Sequence, residues 1–406
     1  MVQSGRCLAW GSLIVLSIFV TFPGAARAHD DDGPRCSKCK TTGKLENAYL
    51  TPSLAALEAK VVHCSYVFEQ DKKGHGNAWI PCTRCRNPAL AETAKRQFDA
   101  IVAKKTKWLD RRKQKDSFLN TELLYVETEH FVIAWDIPKI VTKEKKTYRM
   151  HEAMHLYADR LETFYSDFMN YFGIEEKEIR NKTHYVYLFE RQKHSFKAAK
   201  ELTGLNCWNA AKMPGNPSIL ISFYDKANMP GEELFHQHLI HHLSHLLNVS
   251  YYRMEWMAAT AGWADEGLAH FFEMHYFKTA SNTCDEEGEE EEVSNSDWEY
   301  EVRRDLAAGK LPSFAELLNK SVTSLHGMDH QTVWSFVDFL LKKRDPRKFK
   351  LFMKAIKDKK ECREALKEAY GLNVITFQKE WEEYVLSTYR DKPLKRKVTR
   401  PRRQRR

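Results

Sequence analysis

Past residue 28 the chain has no apolar run long enough to cross a membrane, so a spanning helix in the mature protein is not expected. It has no internal repeat, which argues against a solenoid or propeller. Neither of its two C-x-x-C pairs is followed by histidine, which excludes covalent haem attachment. The acidic run at 285–292 has seven acids in eight residues but not the spaced Asp/Asn and glycine of a calcium loop, so it reads as an exposed loop. What the chain does not lack is core material. It is 43% hydrophobic and 12% aromatic over 406 residues, enough for two or three packed domains and too much for global disorder.

Residues 1–28 read as a secretory signal peptide. Arg6 precedes an apolar stretch from Leu8 to Phe22, and Ala26-Arg27-Ala28 supplies a small-x-small cleavage site. The mature protein is therefore expected to be secreted or periplasmic. The net charge of +9 is concentrated at the other end: residues 391–406 hold nine Lys/Arg and one Asp, and the remainder is near neutral. The tail from 389 to 406 reads as disordered and suited to an anionic envelope polymer or lipid. Export argues against a specific nucleic-acid partner. Between the ends lie a cysteine-bearing module at 29–90, a basic helical linker at 91–119 and an α+β domain at 120–388. Strand composition marks 130–135, 184–189 and 218–223, and a 3.6-residue apolar period marks a helix over 147–172. Further helices are expected over 314–318, 331–343, 346–357, 362–370 and 376–386.

The chemistry sits in two segments. The first is Leu239-Ile240-His241-His242-Leu243-Ser244-His245, and the second is Trp263-Ala264-Asp265-Glu266-Gly267-Leu268-Ala269. Histidines at i and i+4 share one helix face, so His241 and His245 can aim two imidazoles at one ion. Glu266 follows after twenty intervening residues, room for a second helix to return across the first. Three protein ligands and a water would make an open zinc site. His238 and His242 form an overlapping i, i+4 pair, and the apolar Leu239 and the E-G-L-A segment favour His241/His245 over it. His270 falls one turn beyond Glu266, while His326 and His330 lie further on.

At this spacing the two segments resemble the gluzincin metallopeptidases, and most closely the peptidase-MA-like domain of secreted bacterial proteins. That pattern reads L-x-H-E-x-x-H, then about twenty residues, then W-x-x-E-G-L-A. The resemblance covers about residues 125–388 and extends to the later 334–340 and 370–385 segments. It implies a zincin-like domain, a small sheet with active-site helices, followed by a helical C-terminal part. It also implies zinc held by His241, His245 and Glu266, and a peptide or protein ligand in the cleft.

The departure is His242, which stands where that pattern has the glutamate that takes a proton from metal-bound water. A general base contributes about 10²–10⁴-fold to such a reaction, so hydrolysis is expected to be low or absent. Three readings stay open. One is a metal-retaining pseudo-peptidase that binds peptide or protein. Another is an active zinc hydrolase with His242, His238 or an acid such as Glu255, Asp265 or Glu273 as base. The third is a non-enzymatic envelope scaffold.

Cys36-x-x-Cys39 and Cys82-x-x-Cys85 have the spacing of a four-thiolate zinc knuckle pair, as in a zinc ribbon, although the separation between them is long. Export would equally favour disulfides, and a redox pair is a third alternative. Each reading makes the module structural or an interaction platform before it makes it catalytic.

Overall fold

The computed structural model describes residues 37–40, 42–46, 61–65, 79–179, 182–207, 210–213, 217–224, 231–252, 261–280 and 297–394. The signal segment, Cys36, Glu255, the acidic run and the tail beyond 394 lie outside these residues. The chain divides into two units, Met1–Leu45 with Pro81–Gln97 and Glu46–Ile80 with Phe98–Arg406.

In the first unit Cys39 and Cys82 are buried together, with the partly buried Leu45 and Cys85 packed against them. Gly43 sits at φ +70, and a Cβ there would lie 2.7 Å from the Leu90 carbonyl oxygen, so this turn requires glycine. The turn is held by the Cys82 N–H, which donates to the Gly43 carbonyl at 2.8 Å. Strand β1 (Lys44–Glu46) pairs with β3 (Trp79–Pro81). Helix α1 (Pro88–Lys115) follows.

The second unit is mixed α+β. Its six-stranded sheet runs β2 (His63–Cys64), β4 (Leu124–Glu127), β5 (Phe131–Trp135), β8 (His184–Phe189), β10 (Ser218–Phe223) and β9 (Ala211–Met213) across its width. β5, β8 and β10 are parallel to one another, and the outer strands pair antiparallel. The three central strands coincide closely with those expected. They are near-continuous apolar runs because both faces are covered. Phe131, Ile133, Trp135, Val186, Leu188 and Leu220 face the large core. Ala134, Tyr187, Phe189, Ile219 and Ile221 face a smaller one beneath α1 and α3 (Gln192–Thr203).

The helix expected over 147–172 starts late. Residues Thr147–Arg149 form β7, paired with β6 (Lys139–Val141) as a hairpin, and α2 runs Met150–Phe172. The Glu152 carboxylate accepts the Arg149 N–H at 3.2 Å, which satisfies an orphan donor at the helix start. Helices α4 (Glu232–Tyr252) and α5 (Gly262–Phe277) form the centre of the unit. A largely helical C-terminal part follows: α6 (Trp298–Ala307), α7 (Phe314–Leu317), α8 (Met328–Asp338) running into a π-helical turn at Phe339–Lys343, α9 (Pro346–Lys357), α10 (Cys362–Tyr370) and α11 (Val374–Thr388). α6 is not anticipated from the sequence, because half of its ten residues are charged and it is anchored chiefly by Trp298 and Val302. Among the described residues no helix is long and apolar enough to cross a membrane.

Two contacts fix α5. Trp263 is fully buried with its ring edge-on to Phe314 and Phe336. At Gly267 a Cβ would lie 2.4 Å from the Val333 carbonyl oxygen, so α5 and α8 approach backbone to backbone. That closeness brings His330, one turn before Val333 on α8, up to Glu266.

Candidate metal centre

α4 is buried along nearly its whole length. Phe235, Leu239, Leu243, Leu246 and Leu247 seat it in the large core, and the histidines fill the remaining directions. His241 and His245 point at α5. Their Nε2 atoms are 3.2 Å apart. Glu266 closes the group, with Oε1 at 3.5 Å from His241 Nε2 and Oε2 at 3.2 Å from His245 Nε2. One donor atom from each of the three residues lies within 4.8 Å of the others, so the group can hold a metal ion.

The far side of each imidazole is held by a carboxylate. Asp265 Oδ2 is 2.9 Å from His245 Nδ1, and the Asn248 amide donates to Asp265 Oδ1 at 2.5 Å. Glu273 Oε2 is 3.1 Å from His241 Nδ1 and 2.7 Å from His270 Nδ1. A carboxylate at Nδ1 fixes each ring with its Nε2 turned toward Glu266, the arrangement that orients histidine ligands around a metal. Both carboxylates come from α5, at one residue before and seven after Glu266, so one helix supplies the third ligand and both orienting groups.

A second pair of imidazoles meets Glu266 from the other direction. His270 Nε2 is 3.0 Å from Glu266 Oε1 and 3.0 Å from His330 Nδ1, and His330 Nδ1 is 3.6 Å from the same oxygen. Glu266, His270 and His330 form a further group able to hold an ion, as do His241, His270 and Glu273.

The charges follow from burial and these neighbours. Burial lowers His241 to about 4 against the pull of Glu266 and Glu273, so its imidazole is neutral. Burial also opposes charge on His245, but Asp265 and Glu266 outweigh it and raise the group above its ordinary value. For His270 burial is again overcome, by Glu266 and then Glu273, and the group rises to about 9. Burial works against charge on Glu273 too, yet His241 and His270 bring it down to about 2. Glu266 is held well below the usual carboxylate range, against burial, by His241 and His270. Protonated imidazoles thus balance fully buried carboxylates.

His242 does not share this geometry. It packs against His238 and His241, with ring centroids 4.3 and 5.0 Å away, and neither of its nitrogens has a hydrogen-bond partner among the described residues. Burial, with Lys212 of β9 adding to it, keeps His242 far below its ordinary pKa and neutral. His238 Nε2 is bonded to Ser222 Oγ of β10 at 2.8 Å. The overlapping His238/His242 pair therefore faces the sheet, and the His241/His245 pair faces Glu266. Asp265 and Glu273, weighed above as bases, sit behind the ligand imidazoles on the side away from Glu266. Their observed contacts suit orientation of the ligands. His326 donates its backbone N–H to Asp329 at the start of α8.

Of the cysteine set, Cys39, Cys82 and Cys85 come together in the first unit, and Cys36 lies outside the described residues. No disulfide links the described cysteines to one another. Two features are not placed by the sequence. His330 reaches the centre through the α5–α8 approach, a tertiary fact with no local signal. The other is a buried group of Cys64, His151 and His155, which can also hold a metal ion. Its signal is present in the sequence, since His151-Glu152-Ala153-Met154-His155 spells H-E-x-x-H. Reading 147–172 for apolar periodicity passes over it. The chain matches no protein-family model and no curated protein sequence.

Proposed function

We propose that this protein is a gluzincin-like metal-binding protein that holds zinc in its cleft through His241, His245 and Glu266 and has little or no peptidase activity. The observation that carries the reading is the pairing of a complete ligand set with an absent base. Two Nε2 atoms and a carboxylate converge, each imidazole is backed by its own carboxylate, and the residue after His241 is a buried neutral histidine turned toward His238. The donor set, two imidazole nitrogens and one carboxylate, suits a borderline cation such as zinc. When bound, such an ion would polarise a carbonyl or acidify a water. His242 is a poor acceptor for that water's proton, because burial depresses its basicity.

The cleft's role in this reading is to bind a peptide or protein. β9 is an edge strand of the sheet and its Lys212 lies near enough to bias His242 and His245. An extended peptide could add to such an edge. The exported location, the Cys₄ zinc in the N-terminal module and the attachment of the basic tail to anionic polymer belong to the same proposal and rest on the sequence.

Elemental analysis of the purified chain, with His241→Ala as control, tests the metal. The expected outcome is one zinc fewer in the variant. His242→Glu tests the missing base: peptide hydrolysis gained only by the variant supports the reading, and hydrolysis by the wild type at equal rate defeats it.

A further inference from the structure

The cleft does not account for the group on α2. His151 and His155 lie one turn apart at the start of that helix, and the edge strand β2 brings Cys64 against them. His155 Nε2 is 3.2 Å from Cys64 Sγ. The two imidazole rings are 4.4 Å apart and steeply inclined. One donor atom from each of the three residues lies within 4.8 Å of the others. The His155 Nδ1 is buried and has no hydrogen-bond partner among the described residues.

The backbone holds Cys64 firmly in place. It pairs with Val126 of β4. The Val62 N–H on one side donates to the Glu127 carbonyl at 2.7 Å. On the other side Ser65 Oγ accepts the Tyr125 N–H at 2.6 Å. α2 is fixed equally well by Met154, Tyr157 and Leu161 in the large core. Two rigid elements, far apart in sequence, thus place one sulfur and two nitrogens around a common point. A single imidazole–thiol hydrogen bond would explain the His155–Cys64 contact. It would not explain why a second imidazole is brought to the same point.

We propose that Cys64, His151 and His155 form a second metal site, which takes one zinc-class cation through a thiolate and two imidazole nitrogens. A thiolate with two imidazoles is a soft-to-borderline donor set, and three protein ligands leave a fourth position open. His151 retains 7% exposure, so solvent can reach that position from its side. Glu152 completes the H-E-x-x-H pattern, but it is exposed and its carboxylate accepts the Arg149 N–H. The ion would tie the edge strand to α2. This inference does not depend on the cleft.

The test uses the full-length chain, stripped by chelation and titrated with Co²⁺, reading bound ions per chain and the thiolate-to-cobalt charge-transfer absorption. Cys64→Ser and His151→Ala are each expected to bind one cobalt fewer than wild type, and Cys64→Ser also to lose part of the thiolate band. His241→Ala is expected to lose an ion with that band unchanged, which separates the cleft from this site. If His241→Ala loses nothing while the other two do, the second site stands and the cleft reading falls. His151→Ala leaves Cys64 and its strand pairing intact and so covers a Cys64→Ser chain that fails to fold. Equal stoichiometry and an equal thiolate band in wild type, Cys64→Ser and His151→Ala would overturn the proposal.

Discussion

Among the described residues two helices carry histidines at i and i+4, and the His241/His245 and His151/His155 pairs are built on opposite terms. His241 and His245, in the middle of α4, meet three carboxylates from α5. His151 and His155, at the start of α2, meet a sulfur, and no carboxylate raises either of them. The α2 pair has the glutamate of H-E-x-x-H, and the α4 pair has histidine in its place. The spacing is the same in both, so spacing alone does not set the chemistry. The neighbouring element does, because it supplies the third donor and the charges that oppose burial: Asp265 and Glu266 raise His245, while burial still holds His241 at about 4 between two carboxylates. Carboxylates carry His270 to about 9, while burial without them leaves His155 at about 3.

The largest expected difference lies in removal of the third donor. Glu266 is fully buried among His241, His245, His270 and His330. Glu266→Ala strands those imidazoles without their common carboxylate. It is expected to abolish metal binding at the α4–α5 centre and to lower the unfolding free energy by ~3–5 kcal/mol, the usual cost of breaking a buried charge pair. Urea denaturation of wild type and variant, both metal-free, measures the second effect. At Cys64 the corresponding change leaves neutral imidazoles, so Cys64→Ser should cost far less in the metal-free state. Equal losses at the two positions would erase the contrast.

How far the sequence reveals each pair follows from the same contrast. The central strands are legible because β5, β8 and β10 are apolar on both faces, and α4 and α5 are legible because their apolar residues recur around a fixed ligand spacing. Glu266 is legible from its distance to His245. The orienting roles of Asp265 and Glu273 are not, because a helix places them behind the ligands only once its angle to α4 is known. His330 depends on Gly267 admitting Val333. Cys64 lies in sequence between the two C-x-x-C pairs, and only its pairing with Val126 assigns it to the main sheet. Short strands such as β2 carry no periodicity from which that pairing could be read.

A smaller effect is expected from the orienting carboxylates. Glu273→Gln keeps the shape and a hydrogen bond but removes the negative charge behind His241 and His270. Loss of such a partner weakens metal affinity by about 10–100-fold while leaving the number of sites unchanged. Competitive titration against a chromophoric chelator reads this directly. The α2 group should be unaffected by the change. A parallel weakening there would mean that the two groups are coupled.

The smallest effect isolates the carboxylate rule on α2 itself, away from any metal ligand. Glu162 lies further along that helix and contacts His130, at the start of β5: Oε2 is 2.7 Å from His130 Nδ1, and Oε1 accepts the His130 N–H at 2.9 Å. Here burial opposes charge on both groups and loses. His130 is raised above its ordinary 6.5 by Glu162, and Glu162 is lowered below its ordinary 4.5 by His130 and Thr128. The raised histidine stabilises the fold below the unfolded-state value of about 6.5, and that contribution is lost as pH rises through its folded value. The lowered carboxylate stabilises the fold above about 4.5, and that contribution is lost as pH falls through its folded value. Glu162→Gln should therefore cost about 1 kcal/mol between those limits, given the partial exposure of His130, and less on either side. Denaturation of wild type and variant across pH 3 to 9 would show a difference with a plateau near pH 5.5, on the order of one unit wide on each side. A difference that does not change with pH would mean that His130 is neutral in the fold, and that Glu162 does not overcome its burial.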